Sequence, residues 1–488
     1  MDGFGRVLGL SESVLPRFGA GPTIPAVGPY QAVVTTGIYC RPGCAARPLP
    51  ANVRSFPLAA AAEAAGFRAC LRCRPYRWEP PPPRAAPELV GRALRLILAG
   101  ALDSGTEQQL GARLGVSPRH LCRLFDTHLG VSPGHLARSR RAHFARRLLD
   151  DTELSVTEIA FASGFGSVRQ LNRSFQEVFK AVPTALRARR RSTDRLAADG
   201  GLPIRLPVAG PLAWDQMLQY HARRAIPGVE QVQGGVYRRT VAIDGDPGVI
   251  ELSRLSSDTV LLSAHLPHWE GLIEVVSRAR RIFNLDGDVA AAGERLAADP
   301  RLAPLLQRVP GLRPPGAWDG FEVGVRAIVG QQVSVRGATT LIGRIVERCG
   351  SPVRGLAPMG LTHLFPEPAT LAAADLQGVG IPGSRAAAIQ HFAAAVAEHR
   401  LHLERSCPLD ELVAEIMEVP GLGPWTAQYL ALRLGEADAF PAADLGLRRA
   451  LGGPAAQPPA AGEVASLAEA WRPFRAYAAV QLWLAPPG

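Results

Sequence analysis

Lysine is almost absent from this chain of 488 residues, because Lys180 is the only one and arginine supplies the other strongly basic side chains. Residues 201–488 contain no lysine, which excludes Schiff-base formation by a side-chain amine in that part of the chain. No uninterrupted apolar run reaches the roughly 18 residues that a membrane span needs, so we expect no membrane partner. The N-terminus lacks a basic-then-apolar signal pattern, so we expect a cytoplasmic location.

The basic residues are concentrated in the first part of the chain. Residues 1–200 hold 28 Lys and Arg against 15 Asp and Glu, whereas residues 201–488 hold 26 against 28. A basic front half indicates a polyanionic partner, and nucleic acid is the leading candidate. Hydrophobic residues make up 47% of the chain, so we expect it to fold, and its length predicts two to four domains.

Two stretches divide the chain. Residues 79–87 read EPPPPRAAP, which is typical of a stiff proline linker. Residues 188–203 read ARRRSTDRLAADGGLP and are polar, charged and tipped with glycine. These breaks predict a small cysteine-containing module, a basic helical middle part and a long C-terminal part.

The middle part contains an internal repeat. LGARLGVSPRHLCRLFDTHLGVSP (residues 110–133) is echoed by IAFASGFGSVRQLNRSFQEVFKAVP (residues 159–183), and each copy predicts two helices joined by a turn at glycine. Two such helix-turn-helix units fit adjacent segments of a DNA major groove. A generic helical bundle is the alternative, although the basic second helices argue against it. Residues from about 88 to 190 resemble the AraC family of DNA-binding domains. The candidate DNA-reading residues are Arg119, His120, Arg123, Arg169, Gln170, Asn172 and Arg173.

Four of the seven cysteines form a cluster: Cys40, Cys44, Cys70 and Cys73. Their spacing, C-x3-C followed after 25 residues by C-x2-C, predicts one tetrahedral zinc site with four thiolate ligands. A purely structural zinc site is the alternative to a reactive one. The surrounding sequences, TTGIYCRPGCAARPLPANVRSF and AAGFRACLRCRP, resemble the N-terminal domain of the Ada family. That resemblance implies methylphosphotriester repair in which Cys40 accepts the methyl group.

The resemblance to the Ada family begins near Ala32. Residues 1–31 lack the opening rich in Trp, Arg and Asp that is usual in that family, so we assign them to a divergent or disordered start.

The C-terminal part contains the segment EVPGLGPWTAQYLALR, which predicts two helices joined by a tight Gly-x-Gly turn. Glycines allow close backbone approach there, and the amides that open the next helix point at an anion. Asp444 follows in FPAADLGLRRAL. This arrangement resembles the helix-hairpin-helix DNA glycosylases, most closely the AlkA-type glycosylases for alkylated bases. The resemblance extends from about Leu202 to the C-terminus.

The resemblance assigns the site residues. Asp444 would be the catalytic carboxylate, with a helix-capping aspartate as the alternative. Trp425, Tyr429 and Trp483 would form the base pocket and Tyr220 would add a wall, although such aromatic residues are more often part of a core. The candidate DNA contacts in this part are Gln332, as a wedge in the space left by the flipped base, and Gly421, Gly423 and Thr426 in the hairpin.

The same family resemblance bears on strand cleavage. Family members that also cut the strand place a lysine in the hairpin, and Trp425 occupies that position here. The four C-terminal cysteines of the iron–sulfur members are also absent. We therefore expect a monofunctional glycosylase that acts on alkylated purines in double-stranded DNA, leaves the abasic site uncut and needs no nucleotide cofactor.

The resulting expectation is a multidomain, mainly α protein with one α+β domain. In it, the glycosylase for alkylated DNA is fused to a methylation-sensing transcriptional regulator that binds promoter DNA. The predicted units are a start (1–31), a zinc module (32–79), a double helix-turn-helix (88–190), an AlkA-like α+β domain (202–315) and a helix-hairpin-helix glycosylase domain (316–488). Two other functions stay open. The chain could be a transcription regulator whose glycosylase half only binds DNA, or its front half could merely anchor the enzyme to DNA.

Overall fold

The computed structural model describes residues 28–78, 80, 83, 86–190, 194, 196, 200–403, 407–452 and 457–484. The described part of the chain begins with a four-stranded sheet in the order β3-β1-β2-β4, and helix α1 (Ala59–Ala64) connects β3 to β4 in the sequence. The strands are β1 (Tyr30–Val33), β2 (Ile38–Cys40), β3 (Val53–Phe56) and β4 (Arg68–Ala69). Most of the predicted start, residues 1–27, lies outside the described residues.

The first sheet starts earlier than the sequence predicted. Tyr30 and Gln31 fell in the predicted divergent start, yet they belong to β1, which is an inner strand of the sheet. Tyr30 is buried because its ring packs edge-on against Tyr39, at 5.9 Å, and against Trp78, at 5.3 Å. These contacts make the segment part of the module.

Seven helices form the middle part: α2 (Glu88–Leu98), α3 (Glu107–Arg113), α4 (Pro118–Leu129), α5 (Pro133–Asp151), α6 (Val156–Ala162), α7 (Val168–Phe179) and α8 (Pro183–Ala188). Serine side chains cap the first turns of α4, α5, α6 and α7 by accepting a backbone N–H. The turns of the two repeats have left-handed backbone at Gly115 and Gly164. The two helix-turn-helix units are therefore α3–α4 and α6–α7, and α5 joins them.

A five-stranded antiparallel sheet follows, in the order β5-β9-β8-β7-β6. Its strands are β5 (Leu202–Pro207), β6 (Glu230–Gln233), β7 (Val236–Ile243), β8 (Asp246–Arg254) and β9 (Thr259–His265). Helices α9 (Trp214–Ala222), α10 (Leu272–Ile282), α11 (Val289–Leu296) and α12 (Ala303–Arg308) accompany it. This part is the α+β unit that the family resemblance led us to expect.

The remainder of the described chain is helical: α13 (Gly320–Val329), α14 (Val335–Cys349), α15 (Pro368–Ala373), α16 (Gly383–Ala397), α17 (Leu409–Met417), α18 (Pro424–Leu434), α19 (Leu445–Gly452), α20 (Ala461–Ala468) and α21 (Arg475–Leu484). One hydrophobic core runs through these helices and also includes Ala292 and Leu296 of α11. Among the described residues, no helix combines the length and the apolar composition needed to cross a membrane.

The other core runs without interruption from the first sheet through the helical middle part to the five-stranded sheet. Polar contacts reinforce this packing at the C-terminal end of α5. Asp151 is buried there and accepts hydrogen bonds from Arg77, at 2.7 Å, and from Arg205 on β5, at 2.8 Å. Arg140 on α5 also donates to Ser277 on α10. The segments predicted as linkers therefore join units that pack directly against one another.

Candidate functional site

The turn between α17 and α18 depends on Gly421 and Gly423 in different ways. Gly421 has φ +90°, and a Cβ atom there would lie 2.5 Å from the Cβ of Ala388. Gly423, the N-cap of α18, has φ −102°, and a Cβ atom there would meet nothing within 4 Å. Gly421 is thus required by the fold, whereas Gly423 leaves an open surface beside the start of a helix.

No side chain caps the N-terminus of α18, and Pro424 occupies its first turn. The backbone N–H groups at such a terminus bind anions well. Thr426 is buried, and its Oγ1 accepts a 3.0 Å hydrogen bond from Gln331. Because this side chain is buried and already engaged, we expect Thr426 to contact DNA only through its backbone N–H.

Gln331 and Gln332 lie in the loop between α13 and α14. Gln331 also donates to the carbonyl of Gly421, at 3.2 Å, and so ties this loop to the hairpin. Gln332 is exposed and has left-handed backbone, with φ +56°. Left-handed backbone is uncommon in residues other than glycine and is found most often at functional sites. The loop presents Gln332 next to the hairpin.

Asp444 stands immediately before α19 and accepts three hydrogen bonds. Its Oδ1 accepts from Nε1 of Trp483, at 2.9 Å, and from the backbone N–H of Leu447, at 3.1 Å. Its Oδ2 accepts from Nε1 of Trp425, at 3.1 Å. Asp444 therefore caps a helix and, through two indoles, is also held inside the aromatic cluster.

The aromatic residues that the sequence singled out lie together. The rings of Trp425 and Tyr429 are stacked with centroids 5.4 Å apart, and those of Tyr429 and Trp483 are 6.1 Å apart. All three are partly exposed. Tyr220, predicted as a further wall, is instead buried, with its hydroxyl 3.3 Å from that of Tyr429. Tyr220 supports the cluster through Tyr429.

Arg433 lies beneath this cluster and was not singled out from the sequence. It is buried, and it donates to the hydroxyls of Tyr220, at 3.2 Å, and Tyr429, at 3.0 Å. Its other donors reach the carbonyls of Pro315 and Gly316, both at 2.8 Å. Pro315 and Gly316 lie more than 100 residues from Arg433 in the sequence. The LALRL pattern around Arg433 therefore gave no indication that this side chain is buried.

Charge next to Tyr429 changes its acidity. Burial alone would raise the pKa of Tyr429, but the positive charges of Arg433 and Arg224 and the hydrogen bonds from Tyr220 and Arg433 lower it to about 7. Burial raises the pKa of Tyr220. The two hydroxyls therefore differ in acidity although they share one guanidinium.

The four clustered cysteines converge on one point. The sulfur atoms of Cys40, Cys44, Cys70 and Cys73 all lie within 4.8 Å of one another. A tetrahedral Zn²⁺ with Zn–S bonds of about 2.3 Å separates its sulfurs by roughly 3.8 Å, so the cluster fits zinc. Cys40 ends β2, and the backbone N–H of Cys70 donates to the carbonyl of Tyr39.

The zinc module is fastened to α5 through a buried carboxylate. Glu63 on α1 accepts from the hydroxyl of Tyr39, at 2.5 Å, and pairs with Nε2 of His143, at 2.6 Å. Burial would raise the pKa of Glu63, but the charge of His143 and hydrogen bonds from His143, Ser139 and Tyr39 lower it below its usual value. The residue before Cys40 is thus connected to the helix that joins the two helix-turn-helix units.

The candidate DNA-reading residues lie on α4 and α7. Arg119, Arg123, Arg169, Gln170 and Arg173 are exposed, and His120 and Asn172 are partly exposed. Some of these side chains have partners on their own helix. Arg173 pairs with Glu177, at 3.0 Å, and Arg123 lies 2.8 Å from Nδ1 of His120. The second helix of each repeat therefore presents a polar, largely basic face to solvent.

Four family models match successive parts of the chain. They are the metal binding domain of Ada (residues 30–76), a helix-turn-helix domain (110–189), the AlkA N-terminal domain (203–319) and the HhH-GPD superfamily base excision DNA repair protein (325–474). The four cysteines lie within the first match, and the hairpin and Asp444 lie within the last. The matches support one zinc, bound by the cysteine cluster.

Some known proteins match nearly the whole chain, and others match only its C-terminal part. DNA-3-methyladenine glycosylase 2 of Escherichia coli is 34% identical over 284 residues, which are 56% of this chain and 94% of that protein. The solved structure of a 3-methyladenine DNA-glycosylase from Archaeoglobus fulgidus superposes with a TM-score of 0.51 and 25% identity, covering 57% of this chain and 97% of that one. The probable bifunctional transcriptional activator/DNA repair enzyme AlkA of Mycobacterium tuberculosis is 40% identical over 93% of this chain and 92% of its own length. The chain therefore belongs to the family of bifunctional transcriptional activator/DNA repair enzymes that join an Ada-type metal-binding domain and a helix-turn-helix domain to an AlkA-type glycosylase.

Proposed function

We propose that the protein hydrolyses the N-glycosidic bond of alkylated purines in double-stranded DNA, with a DNA-binding regulator on the same chain. The observation that carries this proposal is the position of Asp444, whose two carboxylate oxygens are fixed by the indoles of Trp425 and Trp483 beside the ring of Tyr429. A flipped nucleotide seated against these aromatic rings would bring its sugar close to the carboxylate.

In the proposed reaction, Asp444 stabilises the positive charge that develops on the sugar as the bond to the base breaks. Water then adds to C1′ and loses a proton, so that the products are the free base and an intact strand with an abasic site. An alkylated purine nucleotide such as 7-methylguanine carries a positive charge, and aromatic faces attract cations by about 0.5–2 kcal/mol. Because the charged base is already a good leaving group, the pocket needs few specific hydrogen bonds.

Base release is the direct test. We expect the wild type to release 3-methyladenine and 7-methylguanine from methylated duplex DNA and to leave strands that break only after alkali treatment. No lysine is present in residues 201–488 to form a Schiff base with the abasic sugar. Chromatography of released bases and denaturing electrophoresis of the strands, with and without alkali, measure both results. No release by folded, DNA-binding protein would leave only the regulator function.

The two hairpin glycines provide a matched pair of variants for DNA binding. We expect Gly421→Ala to lower the free energy of unfolding by about 1–3 kcal/mol, because alanine strains the backbone there and collides with Ala388. We expect Gly423→Ala to leave stability unchanged but to weaken binding to abasic-site DNA several-fold, because the added methyl group occupies the open surface beside the α18 amides.

Thermal unfolding and DNA titration of both glycine variants separate the two effects. Wild-type affinity for DNA in Gly423→Ala would contradict the assignment of this turn to a DNA phosphate. Wild-type stability in Gly421→Ala would contradict the steric role of the first glycine.

In the regulator half, we propose that Cys40 accepts a methyl group from a DNA methylphosphotriester. The methyl C–O bond of the triester breaks, a C–S bond to Cys40 forms, and an ordinary phosphodiester anion leaves. A bound zinc ion keeps the four cysteines deprotonated, and thus nucleophilic, at neutral pH. The proposal is supported by the convergence of the four sulfurs and by the connection from Tyr39 through Glu63 to α5. The bases that α4 and α7 contact would then define the promoter.

A further inference from the structure

The polar layer beneath the aromatic cluster has an unbalanced charge. Arg433 donates to both tyrosine hydroxyls, and the guanidinium of Arg224 lies 3.9 Å from the ring centre of Tyr220. Two guanidinium groups therefore face one pair of phenols, Tyr220 and Tyr429.

The nearby carboxylates are already paired with other arginines. Glu322 pairs with Arg239, at 2.7 Å, and Glu230 pairs with Arg326, at 2.9 Å. Among the described residues, neither Arg433 nor Arg224 forms an ion pair with a carboxylate. A buried cation without a compensating anion is costly, so this layer favours the appearance of a negative charge on a neighbouring group.

We propose that Arg433 and Arg224 make Tyr429 a proton-releasing residue of the base pocket, so that a cationic base enters in exchange for one phenolic proton. The inference rests on the proposed glycosylase function and names how its pocket selects charged bases. In the exchange, the O–H bond of Tyr429 breaks, the proton goes to solvent, and the phenolate accepts hydrogen bonds from Arg433 and from the hydroxyl of Tyr220. The net charge of the pocket is then the same with and without the base.

The groups around Tyr429 agree with this assignment. Of the two tyrosines, Tyr429 has the lowered pKa, and its ring lies against the partly exposed rings of Trp425 and Trp483. His221, behind Tyr220, contributes no charge at neutral pH, because burial first and Arg433 next lower its pKa to about 3. Glu230 is held by Arg326, and Asp444 is held by the two indoles. Tyr429 is therefore the group in this layer that can change charge near neutral pH.

The direction in which the rate of base release changes with pH follows from the lowered pKa of Tyr429. Because the pKa of Tyr429 is lowered to about 7, an entering base must displace the phenolic proton at lower pH, whereas at higher pH the phenolate is already formed. We expect the rate of 3-methyladenine release by the wild type, divided by that of Tyr429→Phe, to rise about tenfold from pH 6 to pH 8. Any titration of the lesion itself affects both enzymes equally and cancels in this ratio. Excision of a neutral base, hypoxanthine, should show no such rise in the ratio.

A spectroscopic titration tests the residue without relying on catalysis. Near-ultraviolet absorbance of the full chain should show one tyrosine ionising near pH 7, and Tyr429→Phe should lack that transition. Arg224→Gln should raise its midpoint by about one to two pH units, because a nearby positive charge is lost. Arg223→Gln is the matched control: it removes the same charge from the adjacent, exposed position and should leave the midpoint unchanged.

The outcomes separate this inference from the function on which it rests. Absence of the transition in the wild type, or its persistence in Tyr429→Phe, would overturn the inference while leaving the glycosylase intact. If a tyrosine ionises near pH 7 but the ratio of wild-type to Tyr429→Phe activity stays constant from pH 6 to pH 8, the proposed exchange of base for proton is overturned. A transition as expected without base release by any form of the protein would refute the proposed function instead.

Discussion

Replacing Asp444 with asparagine should lower the rate of base release by about a thousandfold or more while DNA binding persists. Asparagine is nearly the same size, and its Oδ1 can still accept from Trp483 and from the amide of Leu447. The change removes the negative charge that would face the developing cation at C1′. Single-turnover excision of 3-methyladenine from duplex DNA measures the loss.

Asp444 also caps α19, so the loss of a helix cap could imitate the loss of a catalytic group. Asp444→Ser separates the two, because serine caps helices as well as aspartate does but carries no charge. We expect Asp444→Ser to keep the helix cap but to lose hydrogen bonds to the indoles, so that it unfolds a little below the wild-type temperature, stays folded in the assay and is as inactive as Asp444→Asn. Substantial base release by either folded variant would refute the catalytic assignment.

How far the sequence predicted the site depends on how local each feature is. The cysteine spacing, the Gly-x-Gly hairpin and the glycine turns of the repeats are short-range patterns, so the zinc module, hairpin and helix-turn-helix units could be recognised directly. Trp425 and Tyr429 lie one helical turn apart, and their stacking follows from that spacing.

Contacts between distant segments could not be predicted in this way. Arg433 resembles a surface arginine in the sequence, and its burial depends on carbonyls more than 100 residues away. Tyr220 was predicted as a wall, but it is buried, and its hydroxyl accepts a hydrogen bond from Arg433, which lies 213 residues away in the sequence. The proline-rich and polar breaks marked the ends of units, yet they gave no sign that α5 would pack against β5.

Methylation of Cys40 should increase the affinity of the protein for its promoter DNA by about tenfold to a thousandfold. Four thiolates and one Zn²⁺ carry a net charge of −2, and a methyl group on one sulfur reduces this to −1. Removing one negative charge close to a phosphate is worth roughly 1–4 kcal/mol, depending on the local dielectric. Because the effect is electrostatic, the gain should shrink as the salt concentration rises.

The measurement exposes the zinc-loaded protein to duplex DNA with one methylphosphotriester, maps the modified peptide by mass spectrometry and titrates promoter DNA at two salt concentrations. DNA of the same sequence whose only lesion is a methylated base serves as the control, because it offers no triester to Cys40. Glu63→Gln leaves all four sulfurs and the charge change in place, so we expect it to accept the methyl group and to gain the same affinity; a smaller gain would show that the link from Tyr39 to His143 contributes as well. A methyl group on Cys44, Cys70 or Cys73 would show that this cysteine, and not Cys40, accepts the methyl group. No methylated cysteine at all would leave the module as a structural zinc site, and the regulator half would then bind DNA without sensing its methylation.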